Sequence, residues 1–275
     1  MEQDIAHTAQ KIRRMTFEAI ANAGRGHYGG SLSISEILAV LYFKVLNIDP
    51  NNPRDEKRDH FILSKGHGGP ALYTTLALRG YFPYQELLDG LDKPLSNFPK
   101  HIDRLKLDCI EASTGPLGQG LSIGTGMGIT VKQQGRPNRV YVLSGDGECD
   151  SGQLWEAVMT AAKYRLGNLI LIVDRNNLQI DGCCDDIMPT EPLDQRFEAF
   201  GWMSRKVDGH NTEEIERAIR EIQVDQQKEP KPGVIIANTV KGRGVSFMEN
   251  KAEWHSGAIS EEQYRQAMAE LGGDA

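Results

Sequence analysis

The sequence predicts an α/β fold built on one doubly wound, mostly parallel sheet. Three observations lead there. Residues 140–143, 168–173 and 233–237 are short apolar runs with no polar alternation, as strands covered on both faces require. Between them lie stretches with helical periodicity, such as 151–165 and 212–224. The strand-like runs 61–64, 140–143 and 168–173 each open into a loop rich in glycine, asparagine or aspartate. Strands alternating with helices in this way pack as one layered sheet. No internal repeat or linker divides the 275 residues, so a single domain over 1–275 is expected, ending in a helix of about 15 residues.

Taken in order, residues 5–21 place Ile5, Ile12, Met15, Ala19 and Ile20 on one side of a first helix. The glycine-rich stretch 24–30, GRGHYGG, interrupts it and reads as a flexible or phosphate-hugging loop. Ser33 followed by Glu36 reads as a capping box, starting a helix that runs to about Leu46. FILS at 61–64 is a short buried strand ending in SKGHGG, and a helix to Leu78 follows. Residues 80–112 read as an irregular excursion, the kind of long connection that often carries function. STGPLGQG at 113–120 is a second glycine-rich loop and opens a small-residue helix, 121–133, able to pack closely on the sheet.

Net charge is -7 with 25% charged residues, and Lys and Arg are scattered among acids. That is no footprint for a nucleic-acid backbone. The N-terminus has no signal-peptide layout, and no run approaches the roughly 18 apolar residues of a membrane span. Four cysteines, Cys109, Cys149, Cys183 and Cys184, match no zinc or disulfide framework. A cytoplasmic protein is expected, with no membrane and no nucleic-acid partner.

The chemistry gathers at the predicted strand ends, where open parallel sheets bind ligands. Asp146 lies in GDG after one strand, and Asn176 in NN after the next, with 28 residues between Gly147 and Asn176. One intervening helix puts the two at adjacent strand ends. A carboxylate and an amide oxygen are hard donors suited to Mg²⁺ on a diphosphate, and Gly145 and Gly147 let backbone N–H groups approach phosphate. His27, His67, His101 and His255 lie in glycine-rich or irregular segments, where packing seldom calls for histidine and proton transfer or phosphate contact does. His7 and His60 read as helix-face and surface-loop residues, and His210, in DGH, as intermediate.

GDG followed by NN at this spacing resembles the thiamine-diphosphate motif. GHYGGS, SKGHG, STGPLGQG, GDGE with WEA, DRNNLQIDG, DGH and KGRGVSFMEN with WH resemble the transketolase family in order, from about residue 8 to 257. The likeness is to the separate N-terminal, diphosphate-binding subunit of a split transketolase. It implies thiamine diphosphate and Mg²⁺ as cofactors, with Ca²⁺ or Mn²⁺ able to substitute. The metal ligands it implies are the side chains of Asp146 and Asn176 and the carbonyl of Leu178. Gly145, Gly147, Glu148, His67 and His255 are assigned to the cofactor, and Gly115, Pro116 and Leu117 would flank its rings. Glu156 would join a carboxylate network across a subunit interface, and Asp181 would shape the cofactor loop. His27, His67, His101 and His255 would meet the reacting sugar.

The resemblance further implies transfer of a two-carbon ketol unit from a ketose phosphate to an aldose phosphate, as in pentose phosphate metabolism. The acidic residue that activates the aminopyrimidine belongs to a domain that this sequence does not display. A separate C-terminal subunit is expected to carry it, in an α₂β₂ heterotetramer. Four positions depart from the family pattern: Tyr28 for proline, Ile102 in KHIDR, Ser151 for glutamate and Ser256 before Gly257. Tyr28, Ile102 and Ser256 are expected near substrate, which opens the alternative of an unusual, branched or deoxy sugar phosphate. An α-type chain of a 2-oxo acid dehydrogenase would share GDG and NN but not the other motifs.

Overall fold

The computed structural model describes residues 4–272. Its strands are β1 (His60–Leu63), β2 (Val140–Gly145), β3 (Leu169–Arg175), β4 (Met203–Asp208) and β5 (Gly233–Asn238). They form one sheet in the order β1-β2-β3-β5-β4, with every neighbouring pair parallel. The α-helices in chain order are α1 (Ile5–Asn22), α2 (Gly29–Leu32), α3 (Ser35–Val40), α4 (Gly69–Leu78), α5 (Tyr84–Gly90), α6 (Gln119–Gln133), α7 (Gly152–Lys163), α8 (Cys184–Ile187), α9 (Leu193–Ala199), α10 (Thr212–Lys228) and α11 (Glu261–Glu270).

Side chains along a strand alternate between faces, and the two cores divide accordingly. Phe61, Leu63, Tyr141, Leu143, Ile170, Ile172, Ile235 and Ala237 pack with residues of α1, α3, α4, α10 and α11. Ile62, Val140, Val142, Leu169, Leu171, Val173, Val234 and Ile236 pack with Leu121 of α6, with α7 and with α9. Both faces of the central strands are therefore covered, and each buried aliphatic side chain contributes about 1.5–3 kcal/mol. The small residues of α6 bring it against the sheet. A Cβ on Gly124 would stand 2.5 Å from Val142 Cγ2, and one on Gly120 only 2.4 Å from Ser64 Cβ.

Three local expectations are corrected. Ser33 does not N-cap a helix: its hydroxyl donates to Asp174 Oδ2 at 2.8 Å, while Glu36 is drawn to Arg13 and His210. Long-range partners with full charges outcompete the local cap. The loop 24–30 is not open coil either, since Gly29 already starts the buried helix α2. The helix expected to reach Leu46 is α-helical only to Val40, passes into a π turn over Leu41–Val45, and leaves Leu46 extended. Two further elements carried no visible signal. β4, MSRKVD, is an edge strand with only Val207 buried, so no apolar run marks it. α5 lies within the excursion expected to be irregular. The terminal helix starts at Glu261 behind a Ser260–Gln263 capping box, and residues 273–275 lie outside those described.

Candidate active site

The ends of β1, β2 and β3, and the loop after β5, deliver side chains to one cavity of about 350 Å³. β2 and β3 pair through Gly145 and Asp174, so the loops that follow them start side by side. Asp146 is 5% exposed. Its Oδ1 accepts the Gly147 amide at 2.9 Å and its Oδ2 the Asn177 amide at 2.5 Å. Burial, and then the negative charge of Asp174, push its carboxyl up to about 6. This site stabilises a positive charge placed beside Asp146. Asn176 donates its amide to Asp174 at 3.2 Å, which leaves Oδ1 facing the loop, where it accepts the Leu178 amide at 3.2 Å.

The sequence reading missed two lysines. Lys65, at the end of β1, forms a buried ion pair with Asp174, which also accepts from Thr239. Burial would raise the Asp174 carboxyl, but the charge and hydrogen bond of Lys65 and the bonds from Thr239 and Ser33 hold it below its ordinary range. Lys241 lies in the KGRGVSFMEN stretch, in which it was given no role. Its ammonium bonds the carbonyls of Leu178 and Gln179 at 3.2 and 3.1 Å. Burial, and then the charge of Lys65, lower it to about 8.

Four histidines cluster in the same cavity. The ring of His27 lies 5.6 Å from that of His67, 5.5 Å from His101 and 5.3 Å from His255, and His67 and His255 are 5.0 Å apart. Burial, then the charges of His101, Lys100 and Arg25, lower His27 to about 4. Burial and Lys241 take His255 to about 4, and burial with Lys65 puts His67 well below its ordinary value. His27 Nδ1 is buried without a hydrogen bond. Gly30 leaves room for this cluster, because a Cβ there would meet His67 Nε2 at 2.7 Å.

The cavity also takes in Gly115, Leu117, Gly145, Gly147, Glu148, Leu178, Gln179, Ile180 and Asp181. Glu148 lines it, but its carboxylate is committed to bracing. It accepts from Ser64 Oγ at 2.5 Å, from the Gly118 amide at 3.0 Å and from the Gly145 amide at 3.3 Å, tying three loops together. Pro116 and Glu156 are exposed and outside the lining. His7 is exposed on α1, and His60 belongs to β1, 3.1 Å from Glu111.

The departures from the family pattern do not face the cavity. Tyr28 is fully buried between Phe17 and Trp254, with ring centroids at 5.3 and 6.3 Å. Ile102 is 3% exposed and belongs to the core. Neither Ser256 nor Ser151 is in the lining. Of the three residues expected near substrate, Tyr28 and Ile102 have side chains that fill apolar space behind the histidines, and Ser256 lies outside the lining.

The donor set fits a diphosphate and a divalent ion. Asp146, Asn176 and Leu178 bring hard oxygens to the cavity, and the ammonium of Lys241, bonded to the Leu178 carbonyl, brings a positive charge beside them. Among the described residues no group of three or more His, Cys, Asp or Glu is arranged to hold a metal by itself. An ion here would need amide and carbonyl oxygens and the phosphate it accompanies besides carboxylate. Among the described residues no helix is long and apolar enough to cross a membrane.

The family model described as transketolase, thiamine diphosphate binding domain, matches residues 5–275. The 6-deoxy-6-sulfo-D-fructose transketolase subunit of Clostridium sp. (strain MSTE9) is 48% identical over 268 residues, 98% of this chain and 96% of that one. An apulose-4-phosphate transketolase subunit from Phocaeicola vulgatus is 40% identical over 263 residues, 96% of this chain and 92% of that one. Human transketolase is 37% identical over 273 residues, which make up 98% of this chain and 42% of the human protein. The crystal structure of Campylobacter jejuni transketolase superposes with a TM-score of 0.91 at 30% identity, covering all of this chain and 44% of that one.

Proposed function

The chain belongs to the transketolase family, as its thiamine-diphosphate-binding domain, and from that premise we propose that it is one subunit of a two-chain transketolase. The reaction is transfer of a two-carbon ketol unit from a ketose phosphate to an aldose phosphate. The observation that carries this reading is the single cavity in which Asp146, Asn176 and Leu178 lie with four clustered histidines. Thiamine diphosphate, when bound, supplies the electron sink for breaking the bond beside a ketose carbonyl.

The chain's own residues do the rest. Asp146, Asn176 and the Leu178 carbonyl hold Mg²⁺, or Ca²⁺ or Mn²⁺ in its place, against the diphosphate. Lys241 and the backbone amides around Gly147 balance the remaining phosphate charge. Gly115 and Leu117 border the rings. His27, His67, His101 and His255 meet the sugar hydroxyls. Burial keeps His27 and His255 neutral until about pH 4, so near neutrality each ring has one nitrogen to accept a proton and one to donate.

A separate subunit bearing the pyrimidine-binding domain covers the open side of the cavity, two of each chain giving a closed assembly. Support for the partner is twofold. Three relatives matched along nearly their whole length are named as subunits, and the transketolases matched over 42–44% of their length carry further chain. A second reading replaces the ordinary ketose phosphate by a deoxy or branched sugar, and the 48% identity to a subunit named for a 6-deoxy-6-sulfo sugar favours it. The test is to assay ketol transfer with this chain, with the partner and with both mixed, offering a ketose phosphate and a 6-sulfonated ketose. Activity confined to the mixture supports the reading, and the preferred donor decides between its two forms. Full activity from this chain alone overturns it.

A further inference from the structure

Asp174 is the last buried residue of β3, and it touches the ligand set without joining it. Side chains from four parts of the fold converge on its carboxylate. Lys65, after β1, forms an ion pair with Oδ2. Ser33, at the end of α2, donates to Oδ2 at 2.8 Å, and Thr239, after β5, donates to Oδ1. Asn176 Nδ2 donates to Oδ2 at 3.2 Å. A buried charge needs a counter-charge and hydrogen bonds, and Lys65 with the three neutral donors supplies both. A carboxylate has about four lone-pair positions, so these donors leave none for an ion.

The carboxylate also decides how Asn176 lies. A side-chain amide carries an oxygen at one end and an NH₂ group at the other, and only the oxygen binds a hard cation. An ionised carboxylate only accepts. It takes the NH₂ group and rejects the oxygen. Oδ1 of Asn176 therefore turns away from Asp174, to where it accepts the Leu178 amide at 3.2 Å. A neutral amide at position 174 would have no such preference, since it could pair with either end.

We propose that Asp174 is a positioning residue for the metal site: held by Lys65, Ser33 and Thr239, it locks the Asn176 amide with its oxygen available to the ion. The inference rests on the reading of Asn176 as a ligand. It adds a residue that gives the ion no atom and acts through one that does. Outer contacts of this kind are worth about 10–100-fold in metal affinity.

The competing account is that Asp174 serves the fold alone, as the counter-charge of Lys65. A double-mutant cycle over positions 174 and 176 separates the two. Asp174→Asn keeps the shape and frees the amide to turn. Asn176→Asp puts an oxygen at both ends of its side chain, so that its orientation no longer matters. The measurement is the Mg²⁺ midpoint for thiamine diphosphate binding by calorimetry, with the partner subunit present. The melting temperature of each variant reports the fold. Asp174→Asn is expected to raise the midpoint by about tenfold or more. Adding Asn176→Asp should return it to near wild type, whatever the melting temperature of the pair, and should bring no such gain in the wild-type background. Should Asp174→Asn fail to fold, the neutral pair Lys65→Met with Asp174→Asn takes its place in the same cycle. A wild-type midpoint in Asp174→Asn overturns this proposal and leaves the metal ligands standing. So does a gain from Asn176→Asp that is no larger in the Asp174→Asn background than in wild type. A wild-type complex that binds no cofactor with Mg²⁺ overturns the ligand assignment, and this proposal with it.

Discussion

The backbone amide of Val240 donates to Nε2 of His210 at 2.8 Å. That bond settles the tautomer, because a nitrogen that accepts carries no proton. The proton sits on Nδ1, 3.1 Å from Glu36 Oε2. Arg13 closes the chain by bonding both Glu36 oxygens at 2.5 Å. A buried line of polar groups thus runs from α1 through α3 to the residue before Lys241, and so holds in place the loop whose ammonium enters the cavity.

Glu36 is the hinge of that line, and removing it leaves Arg13 buried without its counter-charge. Glu36→Ala is expected to destabilise the fold by about 3–5 kcal/mol, read from urea denaturation. The pH dependence has a defined sign. Burial alone would raise the carboxyl, but the His210 hydrogen bond and the charge and bond of Arg13 bring it below its usual 4.5. A depressed folded value means stability fully present above pH 4.5 and lost as pH falls through the folded value. Glu36→Gln should flatten that acid limb. A limb of unchanged steepness would assign it to other carboxylates.

The histidine wall gives a prediction of the same sign in a higher pH window. His27 and His255 are lowered to about 4, first by burial and then by their cationic neighbours. In the unfolded chain the same rings take protons near 6.5. The unfolded state therefore binds more protons between 6.5 and 4, and stability falls as pH falls through that window. Ring C–H resonances of His27 and His255 should titrate with midpoints near 4 in the cofactor-free chain. Midpoints near 6.5 would mean that the wall is open to water.

Gly120 lies where α6 meets the end of β1. A Cβ there would stand 2.4 Å from Ser64 Cβ and Oγ and 2.7 Å from Ser64 Cα. Alanine is the better helix former by about 1 kcal/mol, yet overpacking against backbone costs about 1–3 kcal/mol. Gly120→Ala is expected to lower the denaturation midpoint, and also to loosen the Ser64 bond on which Glu148 braces three loops. A stabilised variant would mean that α6 shifts freely, against the close packing of Gly124 on Val142.

Asp146→Ala removes the charged member of the metal set while leaving a space that water can fill. Calorimetric titration of thiamine diphosphate with Mg²⁺, in the presence of the partner, should show loss of metal-dependent binding with the fold retained. Unchanged affinity would sink the metal assignment.

How much of this was legible depended on where each signal sits. β2, β3 and β5 announced themselves because both faces are buried. β4 did not, because an edge strand such as MSRKVD buries only Val207. Asp146, Asn176 and the histidines stood out because glycine-rich loops give such residues no packing role. Lys65 and Lys241 drew no reading of their own, since nothing local reveals that Asp174 and two carbonyls lie beside them. Ser33 and Glu36 satisfied a local capping rule and were taken elsewhere by partners 141 and 23 residues away. Tyr28 and Ile102 show the converse: each follows a cavity histidine in sequence, yet each is buried in the apolar core.

His101 tests the division of labour within the cavity. It is exposed, comes from the excursion after α5 rather than from a strand end, and its ring stands 5.5 Å from His27. Its ring lies against Gly115, where an added Cβ would touch it at 3.4 Å. None of the hydrogen bonds described for Asp146, Asn176 or Lys241 involves it. A residue so placed meets whatever enters from solvent, not the diphosphate below. His101→Ala should therefore leave thiamine diphosphate affinity near wild type and lower kcat/KM toward sugars by about 100-fold, the low end for a lost proton-transfer group. Kinetics at saturating cofactor with the partner subunit, set beside calorimetry on the same preparation, separate the two effects. Lost cofactor binding with sugar kinetics intact would place His101 on the phosphate side.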